Sequence, residues 1–342
     1  MTSFTPFALG TFAASDARGF PGLVLGARVA DLTAHLGPEV TVRGLVDDWD
    51  SALPALQGLA DRLGPDDAPH ALNDLRPLPP LDRWGNVFCA GANFRQHVLD
   101  LMAGAERRGD STDGLTSADR DRARAELDER ARTGRPFVFM GSANAIVGAR
   151  DDVVLPYDSE QHDWELELGA VIGRHARRVS REEALDVIAG YTICNDVTTR
   201  DALIRPDARG LGLDWLAGKT APTFLPTGPL LVPTVHAGDA MDLRITLKVN
   251  GRTMQDESTA DMLFDVAALI AHISHVSELR PGDLVLTGSP AGNGASHGVF
   301  LEPGDVIDGT ITGLGAQRNH CVAEPAPANG RVATAVAEGT VE

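Results

Sequence analysis

The sequence predicts an α+β fold rich in β-structure, and three observations carry that expectation. Beyond Phe137, short apolar runs of strand character recur at residues 153–155, 166–172, 230–232, 243–249 and 284–287, divided by Gly and Pro turns. Only two helical patterns interrupt that stretch, and strands do not alternate regularly with helices, which favours mainly antiparallel pairing over a doubly wound sheet. No repeat of propeller or solenoid period is visible.

At 342 residues the chain exceeds a typical single compact domain, so a large domain with a smaller one is expected. Residues 1–80 read as the small leading domain and its linker. They hold short apolar stretches such as Leu23-Val24-Leu25, a helical pattern over 47–63 and a Pro-rich close at 76–80. Residues 81–330 form the main domain, and 331–342 a tail. Within the main domain, residues 103–136 are dominated by Arg, Asp, Glu, Ala and Gly, which predicts a solvated helix with flexible flanks. The later helices are expected over 180–189, where Ser180 and Glu183 form a capping box, and over 259–277, where apolar residues keep helical spacing.

A formal charge of −18 repels a phosphate backbone, and no basic run with interleaved aromatics offsets it, so nucleic acid is excluded as a partner. The first 25 residues lack a basic stretch followed by a long apolar core, and no later run is long enough to span a bilayer; a soluble, cytoplasmic protein is expected. Cys89, Cys194 and Cys321 lie far apart, which predicts buried, unreactive thiols rather than disulfides or a thiolate metal site.

Acidic and apolar residues alternate from Asp163 to Ile172, and strand geometry turns Glu165 and Glu167 to one face. A shared hard cation would relieve their repulsion; an exposed strand face is the alternative. Asp196, directly after the apolar run 189–194, offers a third carboxylate, and three carboxylates suit Mg2+ or Mn2+ better than zinc. His97 and Asp100, i and i+3 at a helix start, could form an oriented general base or a structural pair. Lys219 follows Gly218, but Leu213 stands where the first glycine of a phosphate loop belongs, leaving an anion-pairing or a surface lysine. The glycine-rich turn 287–294 could present backbone N–H groups to a ligand or be a plain tight loop. His272 and His275 read as structural.

Taken together, the segments 89–97, 163–168, 190–201, 218–229 and 281–294 resemble the motifs of the fumarylacetoacetate hydrolase superfamily, over about residues 86–322. The resemblance implies a mixed β-roll with flanking helices, a small N-terminal domain, a homodimer, and residues 81–330 as the catalytic part. It implies Glu165, Glu167 and Asp196 as ligands of Mg2+ or Mn2+, and His97 with Asp100 as the water-activating dyad. Lys219 is then catalytic, and Asn93, Arg200, Thr287 and Gly288 contact substrate. The expected activity is metal-dependent hydrolysis of a C–C bond in a small 2-oxo or 1,3-dicarbonyl acid through an enolate stabilised by the cation and Lys219. A decarboxylase, tautomerase or dehydratase, or a non-catalytic binding protein, would use the same scaffold. Asp100 in place of a frequent Glu, Gly141 in place of a frequent Lys, Pro222 in place of a frequent Asp, and a long 103–136 segment depart from the family pattern. That segment is expected to act as a lid.

Overall fold

The computed structural model describes residues 5–14, 19–64, 67–108, 116–208 and 210–325. The 331–342 tail lies outside them, as do residues 109–115 of the charged segment.

The β-rich α+β expectation holds. An eight-stranded sheet has a main path running Phe137–Gly141, Val87–Gly91, Leu284–Leu286, Leu166–Ile172, Ile188–Asn195, Leu225–Thr227 and Ile146–Gly148, with Val232–Pro233 added beside Ile188–Asn195. Most pairings are antiparallel, but Leu284–Leu286 runs parallel to the first strand residues of Val87–Gly91, and Leu225–Thr227 runs parallel to Ile146–Gly148. A five-stranded sheet, built on Arg244–Val249, Arg252–Ser258, Val306–Ile311, Gly315–Ala323 and Val153–Leu155, packs against it. The Gln255 side-chain oxygen Oε1 accepts from Leu166 N at 3.1 Å, and the Gln317 side-chain amide donates to three backbone carbonyls, at Ile193, Pro226 and Gly228. Each long polar side chain fills the hydrogen-bonding capacity of an irregular backbone stretch that would otherwise be buried unpaired.

Residues 8–78 contribute a third, five-stranded sheet, with helix Trp49–Ala60 inside the pattern expected over 47–63 and helix Val42–Asp47 just before it. Leu9 and Leu231 exchange backbone hydrogen bonds at 2.9 and 2.8 Å, and Phe7, Leu9 and Phe12 join the same apolar core as the main sheet.

One helix expectation fails and another is shortened. The Ser180–Glu183 capping box forms, yet only the 3-10 turn Ala184–Val187 follows, because Ile188–Asn195 pairs along Leu166–Ile172 and takes the end of the pattern into the sheet. The 259–277 helix reduces to Val266–Val276. Asn93 binds the backbone N–H of Leu263 through its carbonyl and of Phe264 through its side chain, which holds this stretch out of helix until Asp265 caps the next turn. The charged segment is not merely solvated. Helix Ser117–Thr133 opens with a Thr116–Asp119 capping box and buries Ala123 and Leu127, one turn apart on its inner face.

Candidate active site

Two strand pairs build the site. His162–Asp163 pairs with Thr198–Thr199, and Leu166–Ile172 with Ile188–Asn195, so one ladder runs through a gap at 164–165 and 196–197. Glu165 and Asp196 leave the ladder at that gap. The Asn195 side chain accepts from Glu165 N at 2.9 Å, and Asp196 N donates to the Glu165 carbonyl at 2.8 Å, which fixes both backbones. Glu167 lies one strand repeat beyond Glu165, within a strand buried along its whole length.

Glu165, Glu167 and Asp196 are all buried, and each offers an oxygen within 4.8 Å of the others. Lys219, at the end of helix Trp215–Lys219, donates to Glu165 at 2.7 Å, to Asp196 at 2.5 Å and to the Thr198 hydroxyl at 2.8 Å. Arg200 donates to Asp163 at 2.8 Å and to Glu165 at 2.6 Å. Four buried carboxylates, of Asp163, Glu165, Glu167 and Asp196, therefore face two cations.

That deficit of two charges falls unevenly. Burial alone would raise Glu165, but Lys219 and Arg200 overcome it and hold the carboxyl well below its ordinary range. Burial, with Asp196 and Glu165 beside it, pushes Glu167 well above its ordinary range, and Gly288 N donates to it at 2.6 Å. Asp196 is raised mainly by burial, against the pull of Lys219. A divalent cation seated among the three would balance the missing charge and relieve the repulsion from Asp196 and Glu165 that raises Glu167. The all-oxygen donor set fits a hard ion such as Mg2+ or Mn2+.

The same carboxylates line a cavity of about 430 Å³, with His97 on its wall. Burial lowers the His97 pKa, so the imidazole is neutral at neutral pH. His97 and Asp100 share helix Arg95–Arg108 as expected, but the Asp100 carboxylate accepts from the Gln96 amide at 2.8 Å, and no hydrogen bond joins it to His97 among the described residues.

Three of the four residues expected to touch substrate are committed elsewhere. The Asn93 amide donates to the Phe264 and Thr287 carbonyls at 2.9 and 2.8 Å while its oxygen accepts from Phe264 N. The Thr287 hydroxyl donates to the Leu168 carbonyl at 2.9 Å, tying the Gly-rich turn to the strand that carries Glu167. Gly288 serves Glu167, and its φ of +94° with Asn93 Cβ 2.8 Å from any added Cβ restricts the position to glycine. Arg200 does line the cavity.

The sequence reading missed Asp163. Its fully buried carboxylate accepts from the backbone N–H groups of Trp164, Gly294 and Ala295 and from Arg200, joining the Gly-rich turn to the ion cluster. The signal was present, since Asp163 extends the Glu165/Glu167 alternation by one repeat. Also missed was an aromatic wall, in which the Phe139 and Trp215 rings stack 4.1 Å apart with an interplanar angle of 13°. Cys89, Cys194 and Cys321 are buried free thiols, all pushed up by burial, in agreement with the unreactive reading.

Residues 86–322 match the fumarylacetoacetate (FAA) hydrolase C-terminal family. The chain belongs to the fumarylacetoacetate hydrolase family. Among family members, it is 43% identical over 186 residues to 2,4-didehydro-3-deoxy-L-rhamnonate hydrolase of Sphingomonas sp. (strain SKA58), a match covering 54% of this chain and 64% of that protein. It is 39% identical over 247 residues to the mitochondrial oxaloacetate tautomerase FAHD2A of Bos taurus, covering 72% of this chain and 69% of the relative. A solved structure of a probable 2-hydroxyhepta-2,4-diene-1,7-dioate isomerase from Mycobacterium abscessus superposes with a TM-score of 0.71 at 28% identity, over 94% of this chain and all of that one. The relatives named here are a hydrolase, a tautomerase and a probable isomerase. No helix among the described residues is long and apolar enough to cross a membrane.

Proposed function

We propose that this protein is a divalent-metal-dependent hydrolase that cleaves a C–C bond in a small acylpyruvate-type 1,3-dicarbonyl acid. The observation that carries the reading is the two-charge deficit of the buried carboxylates, with a neutral His97 on the same cavity. Glu165, Glu167 and Asp196 would hold Mg2+ or Mn2+. Bound there, the cation would supply Lewis acidity toward the carboxylate and adjacent oxo oxygen of the substrate and offset charge on the leaving fragment.

The chain's own groups do the rest. His97 takes a proton from water as the water oxygen bonds to the distal carbonyl carbon. When the C–C bond breaks, its electron pair passes into the pyruvate half as an enolate, the imidazole returns the proton to carbon, and a carboxylic acid and pyruvate leave. Lys219, which Asp196 and Glu165 keep protonated against burial, places positive charge where the enolate oxygen develops its own. Asp163 and Arg200 orient Glu165, and Gly288 N–H orients Glu167. Asn93 and Thr287 brace the turn that carries Gly288.

One observation favours tautomerisation of a 2-oxo acid as the second reading. Asp100 is turned to Gln96, and among the described residues no hydrogen bond joins it to His97 as expected of a water-activating base, yet a neutral imidazole suffices to move a proton between carbon and oxygen. The oxaloacetate tautomerase named above is a relative of that activity. Product analysis separates the two: acylpyruvates incubated with the Mg2+-loaded protein should yield pyruvate and one acid in equal amounts. Enol–keto conversion of oxaloacetate with no cleavage of any acylpyruvate would overturn the hydrolase reading. Residues 81–330 as catalytic part, residues 1–80 as leading unit, the lid role of 103–136, a homodimer and a cytoplasmic location belong to the same proposal.

A further inference from the structure

The cavity lining is of two chemical kinds. One is ionic, formed by the carboxylates, Lys219, Arg200 and His97. The other is apolar: Phe137, Phe139, Leu203, Ile204, Leu213 and Trp215 line it. Trp215 stacks on Phe139 and stands 6.0 Å from the Phe137 ring, so three aromatic faces meet at one wall. Phe137, Ile204 and Leu213 remain 48%, 61% and 46% exposed, which is apolar surface left for a ligand to cover.

Both cations lining the cavity are already engaged, Lys219 by Glu165 and Asp196, and Arg200 by Asp163 and Glu165. Lys219 Nζ stands 5.7 Å from the centroid of the Phe139 ring but is held by its two carboxylates, and among the described lining residues no Lys or Arg besides Lys219 and Arg200 is present to pair a second carboxylate beside the aromatic wall. Such a group would lose water there without gaining a partner, whereas an alkyl or aryl tail would gain contact with the aromatic faces. A volume of about 430 Å³ lies within the ~300–1,000 Å³ typical of small-molecule sites and leaves room for a tail beyond the 2-oxo acid head.

We infer that the substrate is a monoanionic 2-oxo acid whose distal group is apolar, alkyl or aryl, seated against Phe139 and Trp215, and that dicarboxylic 2-oxo acids are poor ligands. This rests on the metal-bound 2-oxo acid reading above. Because pocket contacts discriminate by about 10- to 200-fold per methylene-sized difference, a preference of at least tenfold is expected.

The test is calorimetric titration of the full chain loaded with Mn2+, using four probes without turnover. Pyruvate reports the shared head, 2-oxoglutarate adds a second carboxylate, 5-methyl-2-oxohexanoate replaces that carboxylate by an isopropyl group of similar shape, and 2-oxo-4-phenylbutanoate carries an aryl tail. The two apolar-tailed acids should bind at least tenfold tighter than 2-oxoglutarate. Trp215→Ala should shrink that ratio at least fivefold. Leu213→Lys, at an exposed position that leaves folding undisturbed, should shift the ratio toward 2-oxoglutarate. If pyruvate binds but 2-oxoglutarate matches or exceeds the apolar acids, or both variants keep the wild-type ratio, the inference alone is overturned. If pyruvate fails to bind with Mn2+ present, the underlying reading falls, and the inference with it.

Discussion

Asp163→Asn should damage both stability and metal binding, although Asp163 is not itself in the three-carboxylate cluster. The carboxylate is fully buried and accepts four hydrogen bonds: from Trp164 N at 2.8 Å, Gly294 N at 2.6 Å, Ala295 N at 3.1 Å and Arg200 Nε at 2.8 Å. An asparagine can keep its oxygen toward Trp164 and Gly294, but its NH2 group then meets two donors, Ala295 N–H and the Arg200 guanidinium. A hydrogen bond to a charged partner is worth about 1.5–3 kcal/mol, and breaking one partner out of a buried ion pair costs about 3–5 kcal/mol, so a loss of ~3–5 kcal/mol is expected. Arg200, freed on one side, no longer fixes Glu165, and outer partners of this kind are worth about 10- to 100-fold in metal affinity. Urea denaturation of the metal-free protein measures the first effect, and Mn2+ titration under native conditions the second. A destabilisation below ~1 kcal/mol together with unchanged Mn2+ affinity would refute the role assigned to Asp163.

Chelation with EDTA should abolish turnover and Mg2+ or Mn2+ should restore it, and Glu165→Gln and Glu167→Gln should each weaken Mn2+ binding in calorimetry; full activity after verified metal removal would sink the metal assignment. Because burial and neighbouring carboxylates raise Glu167, protons compete with the cation from a pH above the usual carboxylate range downward, so Mn2+ affinity should begin to fall while ordinary carboxylates are still ionised. An affinity that stays flat down to about pH 4.5 would contradict this. His97→Ala should lower turnover by about 10²- to 10⁴-fold while oxalate still binds the metal-loaded protein. The lowered His97 pKa places the acid limb of the wild-type kcat/KM profile below pH 6.5, and a limb above that value would point to another base. Gly288→Ala should cost about 1–3 kcal/mol from its positive φ alone. It should also displace the N–H that holds Glu167, so that thermal melting and Mn2+ affinity fall together.

The clustering of the three carboxylates was legible because it depends on local rules. Period-2 alternation carries Glu165 and Glu167 to one face whatever the strand packs against, and Asp196 follows an apolar, strand-like run that the structure places in the buried strand Ile188–Asn195. The same rule would have found Asp163. The helix patterns at 180–189 and 259–277 misled because propensity is weak beside a sheet partner at Leu166–Ile172 or the Asn93 amide bound at Phe264.

The sequence by itself determined the β-rich fold class, the three carboxylates, a histidine at the start of a helix and the family motifs, since each is written in adjacent residues. Tertiary structure alone decided which polar groups are spent on the scaffold and which face the cavity. Asn93, Thr287 and Gly288 carry suitable chemistry, but their partners, at Phe264, Leu168 and Glu167, come from distant segments, so no spacing rule reveals that they are occupied. The aromatic wall shares that origin: Phe139 comes from a sheet-edge strand and Trp215 from a short helix 76 positions later, and only the folded chain stacks one ring on the other.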